Sequence, residues 1–315
     1  MDANLIINLL IMAVSLIFIF WAADLIVYGI GNYAKRLRLS DYITGLVVVA
    51  MAASMPEVIA SMTALVAGKD DVMFGTILGT NMVHVALVTS MVAIIGKKVN
   101  VESTILSKAL LPLWVVLMVP LVLIASDGEL GRVDGIILLL MFCLYLIWLW
   151  NKEKSLGFMR KKVLIRSLWR DGFIFLGSLV ALLIASNSLV FGSITVASIV
   201  GIPAYFLAIT VIAIGGAFPD FAVALRSIKQ GHQDIGVGDI LGSILIEFLL
   251  FFGVVGVFHP VVVPLKEVMG AIIFLGVGIT FLLWVIRQGV MTYKHGLVLL
   301  ALYIAFIATE VVKLI

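Results

Sequence analysis

Hydrophobic positions in this chain form long, nearly unbroken blocks separated by short polar connections. That is the pattern of membrane-crossing helices, not of surface helices on a globular core. Ten blocks can be marked, at about residues 4–28, 40–66, 73–96, 104–126, 133–151, 170–196, 203–227, 236–258, 264–287 and 292–313. Each holds about the 20 residues a helix needs to cross a hydrocarbon layer roughly 30 Å thick. Alternating strands of about ten residues, the mark of a membrane barrel, are absent from the pattern. Lipid offers backbone groups no partners. The predicted class is therefore an all-α polytopic membrane protein whose principal partner is the bilayer.

Some polar residues break these blocks where lipid should exclude them. Residues 49–58, VAMAASMPEV, run through small side chains into Pro56 and Glu57 in the middle of the second block. The seventh block does the same with VIAIGGAFPD, ending on Pro219 and Asp220. Shifting the chain by 163 positions lays residues 42–87 on 205–250 without a gap, with 11 of the 46 positions identical. The matches include Pro56/Pro219, Gly68/Gly231, Asp71/Asp234, Gly75/Gly238 and Gly79/Gly242, while Glu57 falls on Asp220, Thr80 on Ser243 and His84 on Glu247. Five blocks separate equivalent segments, an odd number, so the halves face opposite sides of the membrane. The expectation is ten transmembrane helices in two inverted five-helix repeats: residues 1–151 and 170–315, joined by a basic connection at 152–169. Inverted repeats with broken helices are common in secondary transporters, which bind their ions near the midplane.

A mid-membrane carboxylate costs about 2.5–3.5 kcal/mol on insertion scales, so Glu57 and Asp220 imply a cation or proton path. The prolines lack an N–H and free carbonyls near Ala52, Ala53, Gly215 and Gly216. A carboxylate beside a free carbonyl is the hard oxygen pairing that Ca²⁺ takes. The next blocks carry polar ladders at four-residue spacing, Thr76, Thr80 and His84 in one and Asp239, Ser243 and Glu247 in the other. That spacing keeps each ladder on one helix face. Gly75/Gly79 and Gly238/Gly242 beside the ladders allow close helix packing. His84 is expected either to be hydrogen-bonded structurally or to partner Glu247 or Glu57. Asp24 and Asn187 are candidate path-lining residues. His232, His259 and His295 are expected to be solvated, and Lys266, Glu267 and Glu310 to mark the membrane interface.

Composition and charge refine this picture. The 315 residues are 63% hydrophobic and 12% charged, with net charge +3. The charge is explained by topology: 17 of the 21 Lys and Arg residues fall in alternate connections, leaving Lys69, Arg132, Lys266 and Lys313 on the other side. The positive-inside rule makes the basic side cytoplasmic. Both termini are then extracytoplasmic, in a multi-pass protein of the cell membrane, and no nucleic-acid partner is needed to explain the basic connection. The N-terminus MDANLIINLL lacks a basic leader, so no cleaved signal is expected. With Cys143 alone, disulfides play no part. Neither a cofactor nor an obligate protein partner is expected.

These motifs resemble the calcium/cation antiporter superfamily, in its sodium/calcium exchanger-like branch. That family repeats G-T-S-x-P-E and then G-[N/D]-x-x-G-S-x-x-x-[N/D]; here the repeats read AASMPE with GTILGTNMVH, and GGAFPD with GDILGSILIE. The resemblance implies antiport of Ca²⁺ or a similar divalent cation for Na⁺ or H⁺, by alternating access in which spans 1 and 6 slide over the rest. Carried over by position, Glu57 and Asp220 are the central metal ligands. Ser54, Thr80 and Ser243 keep the expected hydroxyls, and Ala53 and Gly216 keep only carbonyls. Ala53, Gly216 and Ala217 have lost hydroxyls. His84 and Glu247 replace a shorter amide or acid, and Asp239 stands at the edge of the site. The departures leave open an H⁺-coupled or non-Ca²⁺ exchanger with degenerate Na⁺ sites. Rival classes are an uncoupled cation channel or sensor, and an intramembrane hydrolase using Glu57 and Asp220 as a carboxylate pair. Transport, not enzyme activity, is the leading expectation.

Overall fold

The computed structural model describes residues 6–15, 17–19, 21–22, 25, 40–101, 103–155, 168–200 and 204–313. Among them lie seven helices long and apolar enough to cross a membrane: Asp70–Gly96, Leu106–Ser126, Arg132–Lys152, Tyr205–Lys229, Gln233–Phe258, Leu265–Arg287 and Tyr293–Val312. The helix Leu168–Val200, 33 residues long, supplies span 6. Span 2 runs over 41–66 and is interrupted, and described pieces of span 1 lie within 6–25. Among the described residues, these segments follow the apolar blocks of the sequence in order, as an all-α membrane protein of two inverted repeats. Asp24 and most of the basic connection lie outside the described residues.

The layers follow from burial. Spans 3 (Asp70–Gly96) and 8 (Gln233–Phe258) are 83% buried along their apolar windows, whereas spans 5 (Arg132–Lys152) and 10 (Tyr293–Val312) are only 28% buried. The two ladder-bearing spans are thus the core, and the others screen them from lipid.

Two short antiparallel ribbons close the ends. β1 (Lys98–Asn100) pairs with β4 (Val290–Thr292), with Lys98 opposite Thr292; β2 (Glu129–Leu130) pairs with β3 (Val261–Val262). The 163-residue offset carries β1 onto β3 and β2 onto the end of β4, so each ribbon is the other's repeat mate. On the β1–β4 side, Asn100 N–H donates to Gln233 Oε1 at 2.6 Å, and His232 Nδ1 lies 2.7 Å from Asp41 Oδ2. The connections after spans 1, 3, 7 and 9 therefore share one end. That is the alternation the basic residues predict. His232 is correspondingly a hydrogen-bond partner of Asp41 and not simply solvated.

The glycines interlock the repeats. A Cβ on Gly79 would stand 2.6 Å from Ile209 O of span 7, and one on Gly242 would overlap Leu46 O of span 2. The paired glycines do pack against broken helices, as expected, but each pair meets the broken helix of the opposite repeat. Without a hydrophobic drive between helices in lipid, such close backbone approach supplies the dispersion contacts that hold a bundle together.

Candidate cation-binding site

Both broken spans are built alike. Span 2 is α-helical at Asp41–Ile43, widens to a π-helix at Thr44–Val49, returns to α at Ala50–Ala53, turns at Ser54 and restarts as the helix Met55–Val66. Span 7 runs from a helix at Ala204–Leu207 through a π segment at Ala208–Ile212 and a helix at Ala213–Gly216, turns at Ala217 and restarts at Phe218–Lys229. Ser54 and Ala217 share ψ −3°, flatter than helical backbone, and they are 163 positions apart. Spans 3 and 8 carry π segments at Val83–Val88 and Ile246–Phe251, also at equivalent positions. Such π segments cluster at functional sites.

The breaks place charge where the backbone favours it. Pro56 and Pro219 leave the carbonyls of Ala52 and Gly215 without an i+4 donor. Glu57 and Asp220 fall in the first turns of the restarted helices, where exposed N–H groups favour an anion. Two inverted half-helices thus bring two carboxylates together.

Glu57, His84 and Asp220 are fully enclosed, and one ligand atom from each lies within 4.8 Å of the others. His84 Nε2 stands 3.5 Å from Asp220 Oδ2. Ser243 Oγ donates to Asp220 Oδ1 at 2.6 Å. Glu247 Oε2 accepts from Asn81 Nδ2 at 2.8 Å, and that amide also donates to Ile77 O at 2.7 Å. Among the described residues, seven buried side-chain oxygens here have no hydrogen-bond partner: both of Glu57, both of Asp239, and one each of Asp220, Glu247 and Asn81. Neither His84 nitrogen has one. Buried polar groups are nearly always satisfied, so unpaired oxygens clustered around two carboxylates make this a candidate cation site.

The sequence comparisons agree with this geometry. Residues 7–151 and 172–312 match the family described as "Sodium/calcium exchanger protein". The chain belongs to the sodium/calcium exchanger family. It is 31% identical over 258 residues to CaxA of Alkalimonas amylolytica, covering 79% of this chain and 80% of that protein. It is 28% identical over 260 residues to the inner membrane protein YrbG of Escherichia coli, covering 79% of each chain. A solved structure of the sodium-calcium exchanger NCX_Mj, soaked with 2.5 mM Na⁺ and 10 mM Sr²⁺, has the same fold, with a TM-score of 0.83 at 22% identity over 96% of this chain and 99% of that one. The protein is therefore a cation antiporter of the sodium/calcium-exchanger type. It is a transporter and not an enzyme, which sets aside the hydrolase reading of Glu57 and Asp220.

The exchanger's positions divide into those gathered at the centre and those turned aside. Thr80 Oγ1 donates to Thr76 O at 2.6 Å, and Ser54 Oγ donates to Ala50 O at 2.9 Å. Their protons are thus spent on their own helices, and only Ser243 of the three expected hydroxyls reaches a carboxylate. Gly216 lies against Glu57: a Cβ there would fall 2.8 Å from Glu57 Cγ. A hydroxyl-bearing residue at 216 has no room while Glu57 keeps this position. Ala53 is buried beside the break. Asp239 lies one turn before Ser243, closer to the β1–β4 end of span 8.

Two side chains depart from expectation. His84 faces Asp220, with Glu57 beside it, and forms no ion pair with Glu247, whose Oε2 accepts from Asn81. Asn81 was missed because its repeat equivalent is Ile244 and the comparison of halves ignores unmatched positions. Its signal was a lone amide in a buried block. Elsewhere, Asn187 is exposed on its helix. His295 Nδ1 accepts from Thr292 N–H at 3.2 Å in a capping box and is not simply solvated. Glu310 is buried and paired to Lys313 at 2.6 Å, so it is more than an interface marker.

Proposed function

We propose that this exchanger moves a divalent cation, Ca²⁺ or a similar ion, against Na⁺ or H⁺ through one midplane site. Glu57 and Asp220 are the central ligands. Ser243, Ser54 and Thr80 oxygens, the carbonyls of Ala53 and Gly216, and His84 and Glu247 complete the site, with Asp239 at its edge. The observation that carries this reading is the set of unpartnered, fully buried oxygens on repeat-related carboxylates. The same few acids cannot hold both ion types at once, so one displaces the other and exchange follows. Spans 1 and 6 supply the sliding element. Their mutual packing supports this, since a Cβ on Gly192 would press on Met12 Cγ at 2.9 Å. Span 6 also touches both broken spans.

The domain division at 1–151, 152–169 and 170–315, and the extracytoplasmic placement of both termini, belong to the same proposal. The test is radioactive Ca²⁺ uptake into proteoliposomes under imposed Na⁺ or H⁺ gradients. One gradient should drive uptake, and Glu57→Gln should lower it about 100-fold, the effect of about 2.8 kcal/mol lost from the bound ion. Flux indifferent to both gradients would identify a channel. No flux and no effect of Glu57→Gln would end the exchange reading.

A further inference from the structure

The donor set at the centre includes a nitrogen, which Ca²⁺ does not seek. Ca²⁺ takes six to eight oxygen ligands at about 2.3–2.6 Å, whereas imidazole nitrogen suits first-row transition ions such as Zn²⁺ and Fe²⁺. His84 is fully buried and carries no hydrogen-bond partner on either nitrogen. Its Nε2 stands 3.5 Å from Asp220 Oδ2, close to the roughly 3.4 Å edge of a tetrahedron with metal bonds of about 2.1 Å.

Several of the nearby oxygens are already hydrogen-bonded. Ser243 occupies Asp220 Oδ1, Asn81 engages one oxygen of Glu247, and the Ser54 and Thr80 hydroxyls donate to backbone carbonyls. One ligand atom each from Glu57, Asp220 and His84 lies within 4.8 Å of the others. Two carboxylates and an imidazole make a compact mixed oxygen–nitrogen shell. Its imidazole nitrogen favours a first-row transition ion over Ca²⁺. The repeat mate of His84 is Glu247, so the nitrogen is also an asymmetry confined to one half.

Building on the exchange reading, we infer that the site selects a divalent first-row transition-metal ion over Ca²⁺, with His84 as a direct nitrogen ligand beside Glu57 and Asp220. The probe is Mn²⁺, whose unpaired electrons report its ligands. Electron spin-echo spectroscopy of Mn²⁺ bound to the purified full-length protein should show nitrogen modulation from one imidazole. His84→Asn should abolish that modulation and weaken Mn²⁺ binding about 10-fold or more, with a much smaller change for Ca²⁺. In proteoliposomes, Zn²⁺, an ion that imidazole suits, should suppress Ca²⁺ uptake at concentrations about 10-fold below those at which Ca²⁺ suppresses Zn²⁺ uptake.

Bound Mn²⁺ without nitrogen modulation in the wild-type protein would overturn the inference, even if His84→Asn fails to fold. So would Ca²⁺ outcompeting Zn²⁺ in a manner indifferent to His84→Asn, the result expected if the imidazole serves only as a neighbour of Asp220. Failure of exchange itself reads out differently: no divalent flux responds to any gradient, whatever the spectrum of bound Mn²⁺ shows.

Discussion

At the scale of single residues, Gly216 and Asn81 are the informative positions beyond the central acids. Gly216 sets where Glu57 lies, because any side chain at 216 meets the Glu57 stem. Gly216→Ala should therefore displace that carboxylate and lower divalent affinity about 10-fold, measurable by calorimetric titration. Asn81 acts through Glu247. Removing it leaves a buried carboxylate oxygen unpaired, at about 1–3 kcal/mol. Asn81→Ala should lower the ion-free protein's resistance to unfolding in detergent by that amount. Saturating divalent ion should narrow the gap, since a cation satisfies the same oxygen; an undiminished gap would show that Glu247 lies outside the ion's reach.

At the scale of elements, the site depends on four helices that change their hydrogen-bonding at matched points. Broken spans 2 and 7 supply the acids, and spans 3 and 8 supply the ladders. The registers are held by glycine contacts between opposite repeats, so bulk there should act on the whole assembly. Gly79→Val should push span 3 away from the Ile209 backbone. The expected result is a protein that aggregates on extraction and transports nothing. Gly177→Ala is the control, because nothing stands within 4 Å of the Cβ it would add. A fully active Gly79→Val protein would show that the close packing is dispensable.

At the scale of the whole molecule, the ribbons tie connections from different halves across each membrane face. Lys98 faces Thr292 and Glu129 faces Val262. Paired cysteines at 98 and 292, introduced on a Cys143→Ser background, should oxidise to a crosslink visible after cleavage of the 152–169 connection. A reporter fused to the C-terminus should be extracytoplasmic, whereas one inserted near Lys97 should be cytoplasmic. A cytoplasmic C-terminus would reverse the proposed orientation without touching the fold.

The sequence by itself determined the membrane class, the ten spans, the inverted halves and the two acids at the breaks. Those features are written in local signals: uninterrupted apolar length, a proline followed directly by an acid in mid-span, and the same polar residues recurring at one offset. Thr80 and His84 show where such signals end. Both lie on one ladder at helical spacing, yet the Thr80 hydroxyl donates its proton to its own helix while His84 reaches across to Asp220. Spacing gives the face of a helix, but rotamer choice and the neighbouring helix decide the partner. Asn81 was invisible to a comparison of halves because only one half has it. The GxxxG pairs announced close packing, but which broken helix they met depended on how two inverted repeats interlock. The tertiary structure alone decided the partnerships of His84, Asn81 and the glycines, because each joins residues more than 100 positions apart and no local pattern encodes the distance between them.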